Sequence, residues 1–545
     1  VGFSQRNHGF LNPIQTMITG EIPKKTYNYK NYYPVPFYPY TNNISKDSEW
    51  HIANVPLKKV GNKLLMVAED GNVFDDDSIV EFKYNKDFDA PSSWKWSAIK
   101  VRYDKTFAYR KGQPNFGNDY KTANSVWKSI HNPVTEEMLS GEITVDDGIE
   151  DDDVYYRKHD SITKTKSFRN FHNRYVKHNL IKRVSNPGDT LIDLAVGKAG
   201  DLSKWIDSRL STVIGIDYSR DNIENQVDGA ASRYLSEKQQ GRKIIPDCMF
   251  LKGDSSKNIK NGEAFSDDKN KAIMKTIYGL GTKDKSQIGK GLFNVHGKGR
   301  DGFNIVSVQF AAHYFFEDLD KLNNFVKNVS ENCAVKGHFI GTCFDGKKLF
   351  DKLKLLKENE TYYQKNKNGD VIWSAKKKYS QENFNDDETS LGMPVEIFQE
   401  SINKKHTEFL VNFTYFERIM NNYGFTKCNK DELKSFRFDN SIGSFQELFM
   451  DMKTEIERED GGIKESWVGD AMKLTDAEKN VSFLNNYFIF KKRENLTTNV
   501  EIKTSNKQQE LITKEQEELF EKVEKTMKKP KTQVKKFKKK IKLPS

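Results

Sequence analysis

Hydrophobic positions along this chain fall into two regimes. Up to about residue 140 they come as short runs (63–68, 78–84, 98–103) separated by Asp, Gly and Asn turns, with an aromatic, proline-punctuated stretch at 29–40. Short strands with such turns predict a small sandwich or barrel. From about 155 to 495, compact apolar runs at 191–194, 213–216, 249–251, 305–309, 337–343 and 487–490 alternate with helical stretches. That alternation predicts an α/β domain on a largely parallel sheet. Between the third and fourth runs, 257–301 reads as an insert. Its Gly- and Lys-rich second half (GLGTKDKSQIGKG, then HGKGRDG) predicts a mobile loop.

Composition refines this picture. At 545 residues, 36% hydrophobic and 30% charged, the chain has room for about three domains. No apolar run approaches the roughly 20 residues that span a bilayer, and no leader is expected. Cys248, Cys333, Cys343 and Cys428 are scattered, which predicts a reducing compartment and neither a disulfide framework nor a metal site. The net charge of +11 sits mostly at one end: residues 522–542 hold eleven lysines and one acid, a tail suited to polyanions. Residues 146–153 hold six acids in eight. The organisation expected is a β-rich domain at 1–145, an acidic linker at 146–154, the α/β domain at 155–495, and a polar helix with a basic tail at 496–545. Because the chain opens on Val1 within folded-looking sequence, it is expected to be the C-terminal part of a longer polypeptide.

The most informative stretch is TLIDLAVGKAGDLSKWIDSRLSTVIGIDY at 190–218. It reads as strand, small-residue turn, helix, and a strand ending in Asp217. The turn lets backbone approach a ligand, and an acid about twenty residues on can bind both hydroxyls of a ribose. An adenosine-containing cofactor is the expectation. The turn reads A-x-G-x-x-G, with Ala195 where glycine is usual.

Further motifs keep collinear order with this turn: FHNRYVKHNLI at 171–181, GIDYSRDNIEN at 215–225, GDSS at 253–256, FNIVSVQFAAHYFFE at 303–317, HTEFLVNF at 406–413 and LNNYFIFKK at 484–492. The series resembles the mRNA cap guanine-N7 methyltransferases, most closely those of large DNA viruses, over roughly 155–495. The resemblance implies a Rossmann-like methyltransferase fold with S-adenosylmethionine as cofactor. Lys177 is then expected to pair with its carboxylate, Ala195 and Gly197 to approach its methionine moiety, Asp217 to hold the ribose, Asp254 and Ser255 to face the adenine, and Gln309 and Tyr314 to line it. Glu408 is expected to accept from the guanine Watson–Crick edge. His313, Tyr314 and Tyr487 would contact base and ribose, Lys198, Lys204 and Arg233 would meet the triphosphate bridge, and Asn173 would lie near the cap. The guanine N7 carries no proton, so direct displacement needs no general base; positioning and a complementary field suffice. Glu408, Tyr314 and His313 are the residues expected to do this, without a metal.

The N-terminal region carries WKWSAIKVRYDKT at 94–106. It resembles the last motif of capping-enzyme guanylyltransferases, on their oligonucleotide-binding (OB) fold, with Lys100 and Arg102 as the spaced cations, then Asp104 and Lys105. In that family these groups orient pyrophosphate. The nucleophilic lysine of K-x-D-G is absent: AEDG at 68–71 has Ala68 in its place, and CFDG at 343–346 has Cys343. The chain is therefore not expected to guanylylate RNA alone, and guanylyltransferase or triphosphatase modules are expected upstream. Capped RNA is the expected partner, with room for a stimulatory subunit and no membrane, in a virion or in host cytoplasm. Two other readings share parts of the pattern. A cap ribose 2′-O-methyltransferase needs a base-like lysine, and no such tetrad is assignable. A non-catalytic RNA- or cap-binding module has no need of Lys177, Asp217, Asp254 and Glu408, which are all present.

Overall fold

The computed structural model describes residues 2–4, 10, 12–22, 33–35, 53–91, 94–111, 113, 116–118, 120–131, 165–226, 228–241, 244–400, 402, 404–458 and 462–495. The linker expected at 146–154 and the polar helix and tail expected at 496–545 lie outside the described residues. Among the described residues, no helix is long and apolar enough to cross a membrane.

In the N-terminal part, β1 (Gly2–Ser4) pairs with β2 (Tyr33–Val35). An antiparallel sheet follows of β3 (Leu57–Val60), β4 (Lys63–Val67) and β5 (Val73–Phe74), then a hairpin of β6 (Val80–Tyr84) and β7 (Trp96–Val101). The amides of Glu69 and Asp70 donate to the Ala98 and Ile99 carbonyls at 2.8 and 3.2 Å, joining hairpin to sheet. Ala68, Phe74, Ala98 and Val101 pack between them. This is the β-rich unit that the short alternating runs predict.

The second part is built on an eight-stranded sheet: β8 (Thr190–Asp193), β9 (Thr212–Asp217), β10 (Asp247–Lys252), β11 (Phe303–Gln309), β12 (Cys333–Phe344), β17 (Phe425–Lys427), β18 (Ile442–Ser444) and β19 (Asn485–Lys492). The order is β10-β9-β8-β11-β12-β19-β17, with β18 also on β19. Strands β8 to β12 are parallel; β19 runs antiparallel to β12. The order reverses between β8 and β11, and such a switch point opens a crevice at the strands' C-terminal ends. All of β9 is buried, and Gly215 is needed there: a Cβ would stand 2.7 Å from the Phe250 ring and 2.8 Å from Val196. The absence of a side chain lets the 194–200 turn lie down on β9. A helix across 166–184, π-helical at Phe171–Lys177, packs Phe171, Tyr175, Val176, Leu180 and Ile181 into the main core. Such wide turns recur at functional sites.

Two features depart from the sequence reading. A four-stranded antiparallel meander, β13 (Thr361–Lys365), β14 (Val371–Lys377), β15 (Pro394–Gln399) and β16 (Lys405–Phe409), was not expected. It closes a second core of Phe168, Leu349, Phe350, Ile372 and Trp373. The 257–301 insert carries helix Asp268–Ile277 in its first half, and its second half, expected as a mobile loop, carries helices Lys285–Ile288 and Lys290–Val295. Ile273, Met274, Ile277 and Val295 enter the main core. Its glycines are points of close contact: a Cβ on Gly299 would lie 2.9 Å from the Phe303 ring. Ile277 is 0% exposed, so Ile277→Ala should cost about 2–5 kcal/mol. Substitution in a free loop stays within about 0.5 kcal/mol. The denaturant midpoint of the α/β domain distinguishes the two.

Candidate active site

The site begins where β8 and β9 end. The turn after β8 places Gly197 at φ +55° and Ala199 at φ +52°, with the Val196 amide on the Ile216 carbonyl at 2.9 Å. The Gly197 amide donates to Asp217 Oδ2 at 2.7 Å. The Ser219 amide and Asn222 Nδ2 donate to Asp217 Oδ1 at 3.0 and 2.9 Å. Burial raises the Asp217 carboxyl, and these three donors oppose the rise. A carboxylate offers about four acceptor sites, so one remains for a further donor. Ala195 keeps an ordinary backbone angle and donates to Asp193 Oδ1 at 3.1 Å, so the methyl group at this usual glycine position carries no strain.

A buried charge cluster flanks the turn. Lys177 Nζ lies 2.9 Å from Asp201, and Lys204 Nζ lies 2.8 Å from it and donates to the Gly200 carbonyl at 3.2 Å. Burial opposes ionisation of Asp201, but the two ammoniums outweigh it and hold the carboxyl well below its usual range. Asp193 is pushed up to about 7 by burial and by Asp201. Two buried cations thus face one firmly ionised carboxylate and the partly ionised Asp193, although burial also lowers Lys204, and the positive charge left over suits an anion. Beyond Gly200 a Cβ would meet nothing within 4 Å. The turn faces open space beside this excess of positive charge.

Other expected cofactor residues are partly committed to the scaffold. Ser255 Oγ donates to the Leu194 carbonyl at 2.7 Å, strapping the segment after β10 to the end of β8. Asp254 Oδ1 accepts from the amide and hydroxyl of Ser256 at 3.0 and 2.6 Å. Gln309 Nε2 donates to Ser307 Oγ at 3.3 Å, and Thr342 Oγ1 donates to Gln309 Oε1 at 3.1 Å. Of the cations expected on a triphosphate, Lys198 and Lys204 are placed differently. Lys198 Nζ is buried between Asp221 (2.6 Å) and Asp228 (2.9 Å), and Lys204 belongs to the Asp201 cluster. Arg233 lines an open cleft of ≈ 260 Å³ with Ala199, Leu202, Ser203, Ser236 and Glu237.

Just past β11, Phe310 has φ +56°, a strained setting for a side chain, and its amide donates to the Thr342 carbonyl at 2.8 Å. Its ring stacks on His172 at 5.3 Å and lies 5.9 Å from Lys177 Nζ. The 3₁₀ turn Ala312–Phe316 then carries His313, 3% exposed, against Tyr314 at 4.3 Å. His313 Nδ1 lies 3.5 Å from Glu408 Oε2 on β16, and neither imidazole nitrogen has a hydrogen-bond partner among the described residues. His406, two residues earlier on β16, projects from the same face as Glu408. Burial pushes Glu408 up to about 8, and burial with His406 takes His313 down to about 3. Both are therefore mainly neutral at pH 7. Asn173 Nδ2 donates to the Arg169 carbonyl at 3.0 Å, on the same helix as Lys177 and four residues before it.

Tyr487 is not brought to this pair. It is 2% exposed, its hydroxyl donates to the Asn440 carbonyl at 3.0 Å, and its ring packs on Phe438 at 5.0 Å. In the N-terminal part, Lys100 and Arg102 lie at the end of β7, and Arg102 pairs with Asp104 (3.3 Å) and Glu81 (3.6 Å), with Lys105 on the helix beyond. Ala68 of AEDG is buried in the small core, and its amide donates to the Asn72 carbonyl at 2.9 Å, closing a turn. Sequence reasoning assigned no role to Asp193, Asp201, Asn222, Phe310 or His406. The first two stand in the D-L-x-x-G-K-x-G-D pattern and carried a usable signal.

Comparisons with known proteins bear on this geometry. Residues 149–493 match the family described as "mRNA (guanine-N(7))-methyltransferase domain", and 17–140 match "mRNA capping enzyme, C-terminal domain". The chain is 27% identical over 456 residues to the "Probable mRNA-capping enzyme" of Acanthamoeba polyphaga mimivirus, covering 77% of this chain and 37% of that one. It is 26% identical over 297 residues to the mRNA cap guanine-N(7) methyltransferase of Saccharomyces cerevisiae, covering 54% and 58%. The chain thus spans between about a third and three fifths of these relatives. Among solved structures, it is similar to the CcbJ methyltransferase of Streptomyces caelestis (11% identity, TM-score 0.32, covering 63% and 96%).

The raised Glu408 carboxyl has a stability consequence. An unfolded glutamate titrates near pH 4.3, whereas Glu408 in the fold titrates at about 8. Between these values the folded state holds an extra proton, so stability falls as pH rises through the window. Glu408→Gln removes that cost. It should stabilise the protein by about 1–3 kcal/mol at pH 7, with the gain vanishing near pH 4, read as thermal midpoints against pH.

Proposed function

The chain belongs to the mRNA (guanine-N(7))-methyltransferase family, and from that premise we propose that it methylates N7 of the guanine cap of GpppN-RNA. The observation that carries this reading is the segment 309–314. One end touches the cofactor side, through Gln309 on Ser307 and Phe310 over Lys177; the other presents His313 to Glu408.

The residues at the β8–β9 edge fit S-adenosylmethionine. When bound, it supplies an electrophilic sulfonium methyl. Gly197 gives close backbone approach, and the remaining lone pair of Asp217 receives a ribose hydroxyl. The excess positive charge of Lys177 and Lys204 around Asp201 complements an amino-acid carboxylate. Asp254 lies where an exocyclic amine can donate to it, with Ser255 holding that segment in place. Tyr314 and Gln309 stand between the two sides.

On the base side, Glu408 accepts from guanine N1–H and N2–H, which requires it to ionise. Guanine binding thus releases the Glu408 proton, and neutral His313, 3.5 Å from Glu408, hydrogen-bonds base or ribose on that side. N7 attacks with its own lone pair, so the chain's work is alignment and field. Arg233 is the cation left to meet the phosphate bridge, with Asn173 on the neighbouring helix. Lys198 and Lys204 act one step back, by fixing the turn. The N-terminal unit, with Lys100, Arg102, Asp104 and Lys105, is read as an OB domain that contacts transcript. Guanylylation falls to modules outside 1–545, and a second subunit that stimulates transfer is compatible with this arrangement. A virion or host cytoplasm is the compartment we infer, in keeping with the likeness to a mimivirus capping enzyme.

The test is transfer of labelled methyl from S-adenosylmethionine to GpppG-capped RNA, with digestion to locate it. Label on guanine N7 is expected; label on a ribose would move the chain to the 2′-O class. Glu408→Gln should abolish transfer while S-adenosylhomocysteine binding stays within about twofold. Affinity for cap dinucleotide should rise with pH up to about 8, because Glu408 must give up its proton. A flat profile between pH 6 and 8 would contradict the assignment of Glu408.

A further inference from the structure

Helix Pro13–Thr19 lies at the N-terminal end of the chain, yet it folds onto the methyltransferase domain. Phe10, Ile14 and Met17 (2% exposed) belong to the main core. The helix is well bounded: Asn12 caps it by accepting from the Gln15 amide at 3.0 Å, Pro13 opens it, and Gly20 ends it at φ +70°. Its seat is the GKG of the insert, Gly289 to Gly291. A Cβ on Gly291 would lie 1.8 Å from the Met17 carbonyl oxygen, and one on Gly289 would lie 2.6 Å from that of Ile18. No side chain other than hydrogen fits between these backbones. Lys269 Nζ donates to Gln15 Oε1 at 3.4 Å beside the seat.

The docked segment also reaches the cofactor turn. The Phe10 amide donates to the Gln226 carbonyl at 3.1 Å. Gln226 lies between Asn225 and Asp228, where the Asp228 amide donates to Asn225 Oδ1 at 3.1 Å. Asp228 accepts from Lys198 Nζ at 2.9 Å. Lys198 follows Gly197, whose amide holds Asp217. Hydrogen bonds and neighbouring positions in the chain therefore link Phe10, ahead of helix 13–19, through Gln226 and Asp228 to Lys198 and the turn that holds the ribose-binding acid.

We propose that residues 10–20 are a brace in cis for the cofactor turn, so that cofactor affinity depends on this helix being seated on the insert. The proposal rests on the cofactor site described above. Its residues are positioning residues that act through Gln226 and Lys198. Segment 10–20 lies between β1 and β2 of the N-terminal part, so the brace makes methylation sensitive to how that part is held.

Two variants of the full chain test this from opposite sides. Met17→Asp places a charge in the seat. Gly291→Ala adds a methyl group that collides with the Met17 carbonyl, while alanine itself favours the helix 290–295. Both should raise the KM for S-adenosylmethionine and the Kd for S-adenosylhomocysteine by about 5-fold or more, with kcat at saturating cofactor nearly unchanged. A peptide of residues 10–22 added in trans should restore Met17→Asp, whose seat is intact, and not Gly291→Ala. Normal cofactor affinity in both variants overturns the proposal, as does a loss in Met17→Asp that the peptide leaves in place. Failure of the wild-type chain to bind S-adenosylhomocysteine overturns the cofactor site instead.

Discussion

Charge buried at the C-terminal edge of the parallel strands is the constraint on which the rest of the site depends. Each ion removed from water costs several kcal/mol unless partners stand in for the solvent. The 194–200 turn meets that demand at three points. Gly197 gives its amide to Asp217, Lys198 is held by Asp221 and Asp228, and Lys177 and Lys204 close on Asp201. Moving the turn would strand at least one of these charges, so neutralisation fixes the backbone more firmly than loop packing could. The balance is left positive around Asp201, beside open space at Gly200. The electrostatics that hold the turn also favour an incoming carboxylate.

The second constraint is the way β11 ends. Gln309 and Thr342 cross-link β11 to β12, and Phe310 is held in a conformation that costs of order 1–3 kcal/mol for a residue with a side chain. The strained bend turns the ring toward His172 and Lys177 and sends the chain into the 3₁₀ turn that carries His313. Without that bend, β11 would continue along the sheet, and His313 would not reach β16. The meander therefore does more than close a second core: its last strand supplies the wall on which Glu408 stands.

What was legible in the sequence follows from range. The strands of the large sheet were visible because each is a short apolar run bounded by turns, and Asp217 because it ends one of them. The positive charge of Lys198 and Lys204 was visible, but not where it is neutralised: Asp221 and Asp228 are more than twenty residues from Lys198, and Asp201 reads as an ordinary helix cap. The meander lacked a period-2 signal because β14 is largely buried on both faces, although the turn Asn366–Asp370, with Gly369 at φ +85°, marked its first hairpin. Glycines in the insert looked like flexibility because sequence shows the missing side chain and not the backbone that approaches it. Tyr487 sits in a motif that resembles a site, yet β18 pairs beside it with Gly443 opposite, where a Cβ on Gly443 would stand 2.6 Å from the ring, and encloses it.

The protonation state of the Glu408–His313 pair bears on why the proposed reaction needs so little conventional catalytic equipment. A permanently ionised Glu408 would be costly in its buried site without a partner, and a protonated His313, itself buried 3.5 Å away, would be costly in the same way. Burial avoids both by holding the pair mainly neutral at pH 7; on the proposed reading Glu408 ionises when a base with two adjacent N–H donors arrives. Only such a base makes ionisation of Glu408 favourable, because its donors replace the water that the carboxylate lacks. Adenine offers no N1–H, so it pairs only with protonated Glu408 and never calls for the carboxylate. On the proposed reading guanine instead generates the carboxylate that faces it, and that negative charge would stand beside a ring that becomes cationic as N7 is alkylated. Recognition and transition-state stabilisation then use one ionisation, and it occurs only when the correct base is present.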